Sequence, residues 1–220
     1  MKSSLKKTLV FKIGPGGLDG PGKRAISKAA EVIKKGGLVA FPTETVYGLG
    51  ANAEDDLAVA RLYKVKKRPR TKPFAAQISD ISAIKGVWGC ELTEEASALA
   101  GKFWPGALTI ILKSGKGEKI GFRMPKHKIA LSLIREAGVP VYVPSANLSG
   151  TRPPVTAEDV LKELDGKIDI VIDGGPADVG VESTVVDLTV RPAKILREGA
   201  IKKDEIFKEL NPKSELRFRN

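Results

Sequence analysis

The sequence predicts an α/β protein with a mixed sheet, and three observations support this fold class. Segments with apolar residues spaced three and four positions apart alternate with short β-branched runs. Hairpin-like steps such as residues 108–124 interrupt that alternation, which favours a mixed sheet over an all-parallel one. Of the 220 residues, 42% are hydrophobic and 29% are charged, which is typical of a globular chain and favours one large domain over two.

Helices are predicted from apolar stripes together with start and stop signals. In the first, Ile26, Ala29 and Ile33 share one face and Gly36 follows as a stop. Threonines that can cap a helix N-terminus precede two others. The predicted helices are residues 22–35, 56–66, 93–104, 129–136 and 156–164, with a terminal helix and a frayed end within 202–220.

Strands are predicted from short apolar runs rich in β-branched residues and bounded by turn signals. The first apolar run ends at Ile13, and a buried strand is expected directly after Gly37. The remaining runs follow the helices without strict alternation. The predicted strands are residues 38–41, 73–78, 108–112, 120–124, 139–143, 168–172 and 184–188.

The rarity of cysteine and histidine excludes several functional classes. The chain has one cysteine, Cys90, and one histidine, His127, so a disulfide framework and a Cys/His zinc site lack the residues they need. A lone Cys-His pair stays open, although Cys90 has no nucleophile motif around it and a small buried hydrophobe is the simpler interpretation. The first apolar run is broken by Lys12, so neither a signal peptide nor a membrane span is expected, and a cytoplasmic location is.

Charge points to an anionic partner without identifying it. The formal net charge is +11, which suits a nucleotide, a nucleic acid or a lipid surface. Seven cations lie between Arg61 and Lys72 without an acid among them, and this cluster is either a phosphate site or a solvated helix end. The glycine-rich stretch Gly14–Arg24 resembles a phosphate-binding loop, but Arg24 stands where Ser or Thr would hold magnesium, which favours a surface turn.

Three polar segments adjoin predicted strands, where α/β sheets present ligands. They are Pro42–Gly50, Pro144–Gly150 and Gly180–Thr184. Each alone is a turn that carries hydroxyl groups, which is the simpler interpretation of any single one. We expect all three to converge at one end of one sheet.

These segments, together with Lys66-x-Arg68-Pro69, Phe103-Trp104-Pro105-Gly106 and Arg123-Met124-Pro125, resemble the YrdC-like threonylcarbamoyl-AMP synthase family over about residues 22 to 201. The resemblance implies a single-domain YrdC-like fold with a twisted, mixed to antiparallel open sheet flanked by helices. It divides the chain into an N-terminal strand and glycine-rich loop (1–21), a catalytic domain (22–201) and a C-terminal helix and tail (202–220). It also implies a nucleotidyltransferase that converts L-threonine, bicarbonate and ATP into threonylcarbamoyl-AMP and pyrophosphate.

The resemblance also implies the site residues. The catalytic set is Lys66, Arg68, Ser145 and Asn147. The ATP-binding set is Lys66, Arg68, Lys72, Asn147 and Arg197, and the threonine-binding set is Thr45, Arg123, Ser145 and Ser183. Mg²⁺ would enter with ATP, and neither a dedicated metal site nor a tightly bound organic cofactor is expected. The implied partner is a tRNA-modifying transferase complex that accepts the adenylate, with no membrane involved.

Two positions depart from the larger members of the family, and two other functions stay open. Lys72 stands where those members often carry Asn on the nucleotide, and Gln77 where they often carry His near threonine. One alternative is a tRNA-binding or double-stranded-RNA-binding protein of the same fold without synthase activity, which the basic surface would support. The other is a carbamoyl-transfer module like that of hydrogenase maturation proteins, whose zinc-finger-like and acylphosphatase-like parts this sequence does not show.

Overall fold

The structure, a computed structural model, describes residues 7–14 and 17–211. Those residues form ten strands and seven helices. The strands are β1 (Leu9–Lys12), β2 (Val39–Phe41), β3 (Gly48–Asn52), β4 (Ala76–Gln77), β5 (Leu108–Lys113), β6 (Lys119–Arg123), β7 (Val141–Tyr142), β8 (Ile170–Asp173), β9 (Thr184–Asp187) and β10 (Lys194–Arg197). The helices are α1 (Gly20–Lys34), α2 (Asp56–Lys66), α3 (Ala83–Gly86), α4 (Glu94–Phe103), α5 (Lys128–Ala137), α6 (Ala157–Leu164) and α7 (Lys203–Leu210).

All ten strands belong to one mixed sheet in the order β1-β8-β2-β3-β7-β4-β6-β5-β9-β10. Strands β1 and β2 run parallel to β8, β4 runs parallel to β6, and β5 runs parallel to β9. The other five neighbouring pairs are antiparallel. The predicted fold class, a mixed open sheet flanked by helices, is therefore confirmed.

Helices cover both faces of one half of the sheet. Side chains of a strand alternate between its faces, so Val39 and Phe41 pack with α1 and α5, whereas Leu38 and Ala40 pack with α2 and α6. Residues 38–41 are buried without exception, as expected for a strand covered on both sides.

The other half of the sheet is covered differently. Ile110 of β5, Phe122 of β6 and Val186 of β9 pack on one face against Leu99 of α4 and Ile206 of α7. The residues between them on the same strands, such as Thr109 and Gly121, line a cavity on the opposite face. This uncovered face is where the fold leaves room for a ligand.

Most predicted elements are confirmed within a few residues at their ends. The exceptions have physical causes. Strand β3 contains two glycines and an asparagine, which are poor strand formers, and it forms because β2 and β7 pair with it on both sides. The predicted strand 73–78 shortens to β4, because Pro73 cannot donate a hydrogen bond to a neighbouring strand. The short helix α3 and the edge strand β10 carry no clear period in the sequence.

The chain ends fall partly outside the described residues. The predicted terminal helix is α7, whereas the expected frayed end from residue 212 onward lies outside them, as do residues 1–6 and residues 15 and 16 of the glycine-rich stretch. The domain boundaries after residues 21 and 201 stay predictions. Within the described ranges, none of the helices combines the length and the apolar character that crossing a bilayer requires.

Candidate functional site

A cavity of about 770 Å³ lies on the uncovered face of β4, β6, β5 and β9. Every second residue of β6 lines it, namely Lys119, Gly121 and Arg123. Gly121 lies at the centre of this row, where a Cβ atom would come within 3.3 Å of the Thr109 side chain. The missing side chain therefore keeps the floor of the cavity flat between a lysine at one end and an arginine at the other.

The three polar segments predicted to converge do meet at this cavity. The backbone NH of Ala146 donates to the Tyr47 carbonyl at 2.8 Å, which joins the first segment to the second. The NH of Gly180 donates to the Thr45 carbonyl at 2.9 Å, which joins the first to the third. Gly48 is needed for this approach, because a Cβ atom there would lie 2.5 Å from a Val143 methyl carbon.

Lys66 lies behind the cavity wall. It is the last residue of α2 and only 1% exposed, and its ammonium donates to the carbonyls of Ser145 and Asn147 and, at 3.4 Å, to Asn147 Oδ1. Three acceptors match the three N–H donors of a lysine, so its hydrogen-bonding capacity is filled. Burial, and secondarily the charge of Arg68, lowers the pKa of Lys66 to about 8.

Asn147 is held in the same way. Its Nδ2 donates to the carbonyl of Thr151 at 2.8 Å, while its Oδ1 accepts from Lys66, so both ends of the amide have partners. Neither Asn147 nor Lys66 lines the cavity, whereas Ser145 does. Three of the four predicted catalytic residues, Lys66, Ser145 and Asn147, are thus in direct contact, and of these three Ser145 lines the cavity. The fourth, Arg68, lines it as well.

Arg68 and Lys72 line the cavity on the segment between α2 and β4. Lys67 directly follows α2 and adopts the left-handed conformation (φ 50°), which stops the helix. This turn directs the chain toward the cavity. Arg68 donates from Nε to the Lys72 carbonyl at 2.9 Å, and its guanidinium lies 5.2 Å from the ring centroid of Phe74. Burial lowers the pKa of Arg68, but a guanidinium keeps its charge at neutral pH.

The predicted threonine-binding residues also line the cavity, with Arg123 and Ser183 at the end where β6 stops and β9 starts. Thr45, Arg123, Ser145 and Ser183 all line it. Ser183 shares a hydrogen bond with Thr109 at 2.8 Å. The predicted nucleotide residue Arg197 donates to the Ser183 carbonyl at 3.0 Å, and so it belongs to this cluster as well.

Arg123 is 6% exposed and has a buried counter-ion. Its Nη2 lies 2.8 Å from Oε2 of Glu44, and its Nε donates to the Gly106 carbonyl at 3.1 Å. The Glu44 carboxylate is held against Arg123 by this ion pair and has no further hydrogen-bond donor among the described residues. Burial lowers the pKa of Arg123 and the charge of Glu44 opposes this shift.

Sequence reasoning missed several residues of the site. Glu44 was overlooked inside the first polar segment, although an acid between residues of a buried run signals a pairing partner. Thr109 is the single polar residue of the apolar run 108–112, and a strict period of two directs it away from the core. Gln77, noted as a departure, lines the cavity, and its buried Oε1 has no hydrogen-bond partner in the described part of the chain.

Other candidates lie elsewhere. The Cys90 thiol contacts the Trp88 carbonyl within the core, and His127 precedes α5, so the two do not form a pair. The described part of the glycine-rich stretch does not line the cavity. Among residues 7–14 and 17–211, no group of three or more His, Cys, Asp or Glu side chains could hold a metal ion.

The basic cluster of residues 61–72 is divided in the structure. Arg61 pairs with Asp169 at 2.6 Å, Lys66 is buried, and Arg70 lies over the ring of Tyr63 at 5.4 Å from its centroid. Arg68 and Lys72 turn to the cavity. The cluster therefore does not present its seven charges as one surface.

The fold and the cavity define the class of protein: an α/β domain with an open mixed sheet whose uncovered face carries a cavity lined by cations and hydroxyl groups. The profile of the family Sua5_yciO_yrdC, described as "Telomere recombination", matches residues 31–199. The chain belongs to this family.

Curated relatives and a solved structure support the assignment. The chain is 44% identical over 197 residues to the threonylcarbamoyl-AMP synthase of Bacillus subtilis, and 46% identical over 189 residues to that of Pyrococcus abyssi. These alignments cover 85% and 82% of this chain but 57% and 55% of the relatives, so the chain spans a little over half of their length. The crystal structure of P. abyssi Sua5 complexed with L-threonine is similar with a TM-score of 0.86 at 41% identity, over 92% of this chain and 61% of that one.

Proposed function

We propose that this protein is an L-threonylcarbamoyladenylate synthase, a nucleotidyltransferase that makes threonylcarbamoyl-AMP and pyrophosphate from L-threonine, bicarbonate and ATP. The observation that carries the proposal is a single cavity with two chemically different ends. Arg123 and Ser183 lie where β6 ends and β9 begins, whereas Arg68 and Lys72 precede β4, which runs parallel to β6, and so lie toward the start of β6. A volume of about 770 Å³ lies within the range of small-molecule sites.

The relatives support this assignment over the alternatives. Both curated relatives are threonylcarbamoyl-AMP synthases, and a similar structure contains L-threonine. The RNA-binding alternative is not favoured by these relatives, and the most basic segment of the sequence is split between ion pairs, the interior and the cavity. A carbamoyl-transfer module is less well supported, because the two curated relatives described above are threonylcarbamoyl-AMP synthases.

The first step joins threonine to bicarbonate. The amino nitrogen of threonine, after losing a proton, forms a bond to the carbon of bicarbonate, and water leaves, which gives an N-carboxylate. Arg123 would hold the α-carboxylate of the amino acid through charge-assisted hydrogen bonds. Ser183 and Thr45 line the same end and offer hydroxyl groups to the substrate.

The second step transfers the adenylyl group. An oxygen of the carbamate forms a bond to the α-phosphorus of ATP, the bond from that phosphorus to the bridging oxygen breaks, and pyrophosphate leaves with the electron pair. The carbamate is already an anionic nucleophile, so the step needs alignment and charge stabilisation more than a general base. Arg68 and Lys72 would stabilise the leaving pyrophosphate, whereas Arg197 lies with Ser183 on the threonine side.

Lys66 and Asn147 support the reaction from behind the wall. The ammonium of Lys66 and the amide of Asn147 hold the segment that carries Ser145 at the cavity surface. In this proposal Ser145 lies between the two ends and contacts the reacting carbamate. Lys66 and Asn147 then position Ser145 by holding residues 145–147. A direct contact of either residue with a phosphate would need residues 145–147 to rearrange.

The remaining partners follow from the proposed reaction. Mg²⁺ enters with ATP as part of that substrate and is held by the triphosphate. The labile adenylate requires an acceptor, which is a tRNA-modifying transferase complex. A cytoplasmic location and direct binding of tRNA stay predictions.

The proposed function is tested by pyrophosphate release from purified protein supplied with ATP, Mg²⁺, L-threonine and bicarbonate. We expect release only when all four are present, and we expect L-alanine in place of L-threonine to reduce it strongly. The variant Arg123→Met should lower the threonine-dependent release strongly, because it removes the group that would hold the α-carboxylate. Release that continues without threonine, or no release from correctly folded protein, would overturn the proposal.

A further inference from the structure

The cations that line the cavity differ in whether a carboxylate neutralises them. Five cations line it, and three of these have a carboxylate partner within 3.0 Å. The pairs are Arg123 with Glu44 at 2.8 Å, Arg197 with Glu182 at 2.7 Å and Lys119 with Asp187 at 3.0 Å. Arg68 and Lys72 form no ion pair among the residues that the structure describes, and the charge of Glu182 acts on Arg68 from a greater distance. Excess positive charge is therefore concentrated at one end of the cavity.

The pair of Arg123 with Glu44 differs from the other two in its burial. Arg197 and Lys119 are 41% and 51% exposed, so water and salt weaken the effect of their partners. The side chains of Arg123 and Glu44 are 7% and 9% exposed, so their charges act on each other and on a ligand with little screening. A ligand that approaches Arg123 therefore also encounters the negative charge of Glu44.

Glu44 is fixed in this position by its own segment. Its carbonyl accepts from the NH of Val179 at 2.8 Å, and the neighbouring Thr43 hydroxyl donates to the Val46 carbonyl at 2.7 Å. These bonds hold the backbone on both sides of Glu44. The backbone that carries the Glu44 side chain is therefore fixed next to Arg123.

We propose that Glu44 determines which substrate group each end of the cavity accepts. It neutralises Arg123, so that this end takes an α-amino acid, which has one carboxylate and one ammonium group. The triphosphate of ATP, with several negative charges and no positive one, gains no net attraction there and binds at Arg68 and Lys72. This inference rests on the proposed function, because it assumes that an amino acid and a triphosphate share the cavity.

The test uses inorganic tripolyphosphate as the probe and isothermal titration calorimetry at low ionic strength as the measurement. Arg68→Ala with Lys72→Ala should weaken tripolyphosphate binding about 100-fold, since two charge-assisted contacts are lost. Adding Glu44→Gln to that variant should recover at least about tenfold, because Arg123 then becomes an uncompensated cation. Adding Glu44→Asp instead, which keeps the charge, should recover nothing.

One further variant assigns the recovered binding to its source. The triple variant that shows recovery combines Arg68→Ala, Lys72→Ala and Glu44→Gln. When Arg123→Met is added to it, the recovered affinity should disappear. No recovery in a triple variant whose circular dichroism and thermal unfolding match those of the double variant would overturn the proposal. Recovery that survives Arg123→Met would also overturn it, because the added binding would then come from another cation.

A second measurement needs no substitution. In the unchanged protein, L-threonine and tripolyphosphate should bind together, so that saturating tripolyphosphate changes the threonine affinity less than about threefold. Competition between the two would overturn the role of Glu44. Loss of the proposed function has a different signature, which is absence of threonine binding while the tripolyphosphate results of the four variants stay as expected.

Discussion

Two buried cations adjoin the cavity, and the protein holds them in different ways. Lys66 is 1% exposed and donates to carbonyl and amide oxygens of the 145–147 segment. Arg123 is 6% exposed and faces the carboxylate of Glu44. Lys66 has used all of its donors on the fold and does not line the cavity, whereas the Arg123 side chain lines it. Burial alone therefore does not distinguish a structural cation from a ligand-binding one, whereas the hydrogen-bond and ion-pair partners of the cation do.

The largest effect is expected for Arg123→Met. Loss of two charge-assisted hydrogen bonds should lower kcat/KM for threonine about 1,000-fold, while the KM for ATP changes less than about threefold. Steady-state pyrophosphate release with each substrate varied in turn measures both values. An equal loss for threonine and ATP would mean that Arg123 does not bind the amino acid.

The control for that variant concerns stability. Arg123→Met leaves Glu44 as a buried charge without its counter-ion, which should lower the free energy of unfolding by about 3 to 5 kcal/mol. Arg123→Met combined with Glu44→Gln removes both charges and should recover part of that loss without recovering threonine use. A double variant that recovered activity would contradict the assignment.

A smaller effect on activity is expected for Lys66→Met. Two buried carbonyls lose their donor, so the free energy of unfolding should fall by on the order of 2 kcal/mol, the removed cost of burying a charge offsetting part of the loss. KM for ATP and for threonine should both rise about tenfold, because Ser145 moves relative to both substrates. A loss confined to ATP with unchanged stability would instead indicate a direct phosphate contact by Lys66.

The pH dependence of the free energy of unfolding reports on the buried charge of Lys66. Burial lowers the pKa of Lys66 from its ordinary value of 10.5 to about 8, so between these values the unfolded chain binds more protons than the folded one. Stability therefore rises with pH in this window, and the cost of burying the charge is present in full below pH 8.

Chemical denaturation of the unchanged protein and of Lys66→Met, each from about pH 7 to pH 10, measures this contribution. The difference in free energy of unfolding between them should increase with pH by on the order of 2 kcal/mol. Lys28→Met on the surface of α1 serves as a matched control and should show no such trend. A difference that shrinks or stays constant would contradict the burial of a charged Lys66.

The smallest effect is expected for Lys119→Ala at the far end of β6. Its charge is already compensated by Asp187 and half of its side chain is exposed, so KM for threonine and for ATP should each change less than about threefold. The same kinetic assay measures it. A loss of tenfold or more for ATP would mean that a paired cation contributes as much as Arg68 and Lys72.

Much of the fold is predictable from the sequence, and the part that is not depends on distant pairing. Helix α5 was predicted within one residue at each end, because its apolar period and its terminal Gly138 are local signals. Strand β3 was missed because its sequence, Gly-Leu-Gly-Ala-Asn, has little strand propensity, and only its neighbours β2 and β7 make it a strand.

The site shows the same limit. The residues at the cavity surface, such as Arg68, Arg123 and Ser183, were found because motifs name them one by one. Sequence motifs did not predict the burial of Lys66 or the pairing of Arg123 with Glu44. Both depend on contacts between segments that lie far apart along the chain. The register of β5 between β6 and β9, which brings Arg123 and Ser183 to one end, is likewise set by the sheet as a whole.

One cavity is proposed to hold an amino acid and a nucleotide at separate ends, and calorimetry can measure whether both bind at once. L-threonine is titrated into the protein alone and into the protein saturated with Mg²⁺ and a non-hydrolysable ATP analogue. We expect one threonine per chain in both titrations, with the affinity in the presence of the analogue equal to or higher than without it. If the analogue prevents threonine from binding, the two substrates compete for one end of the cavity and the account is wrong.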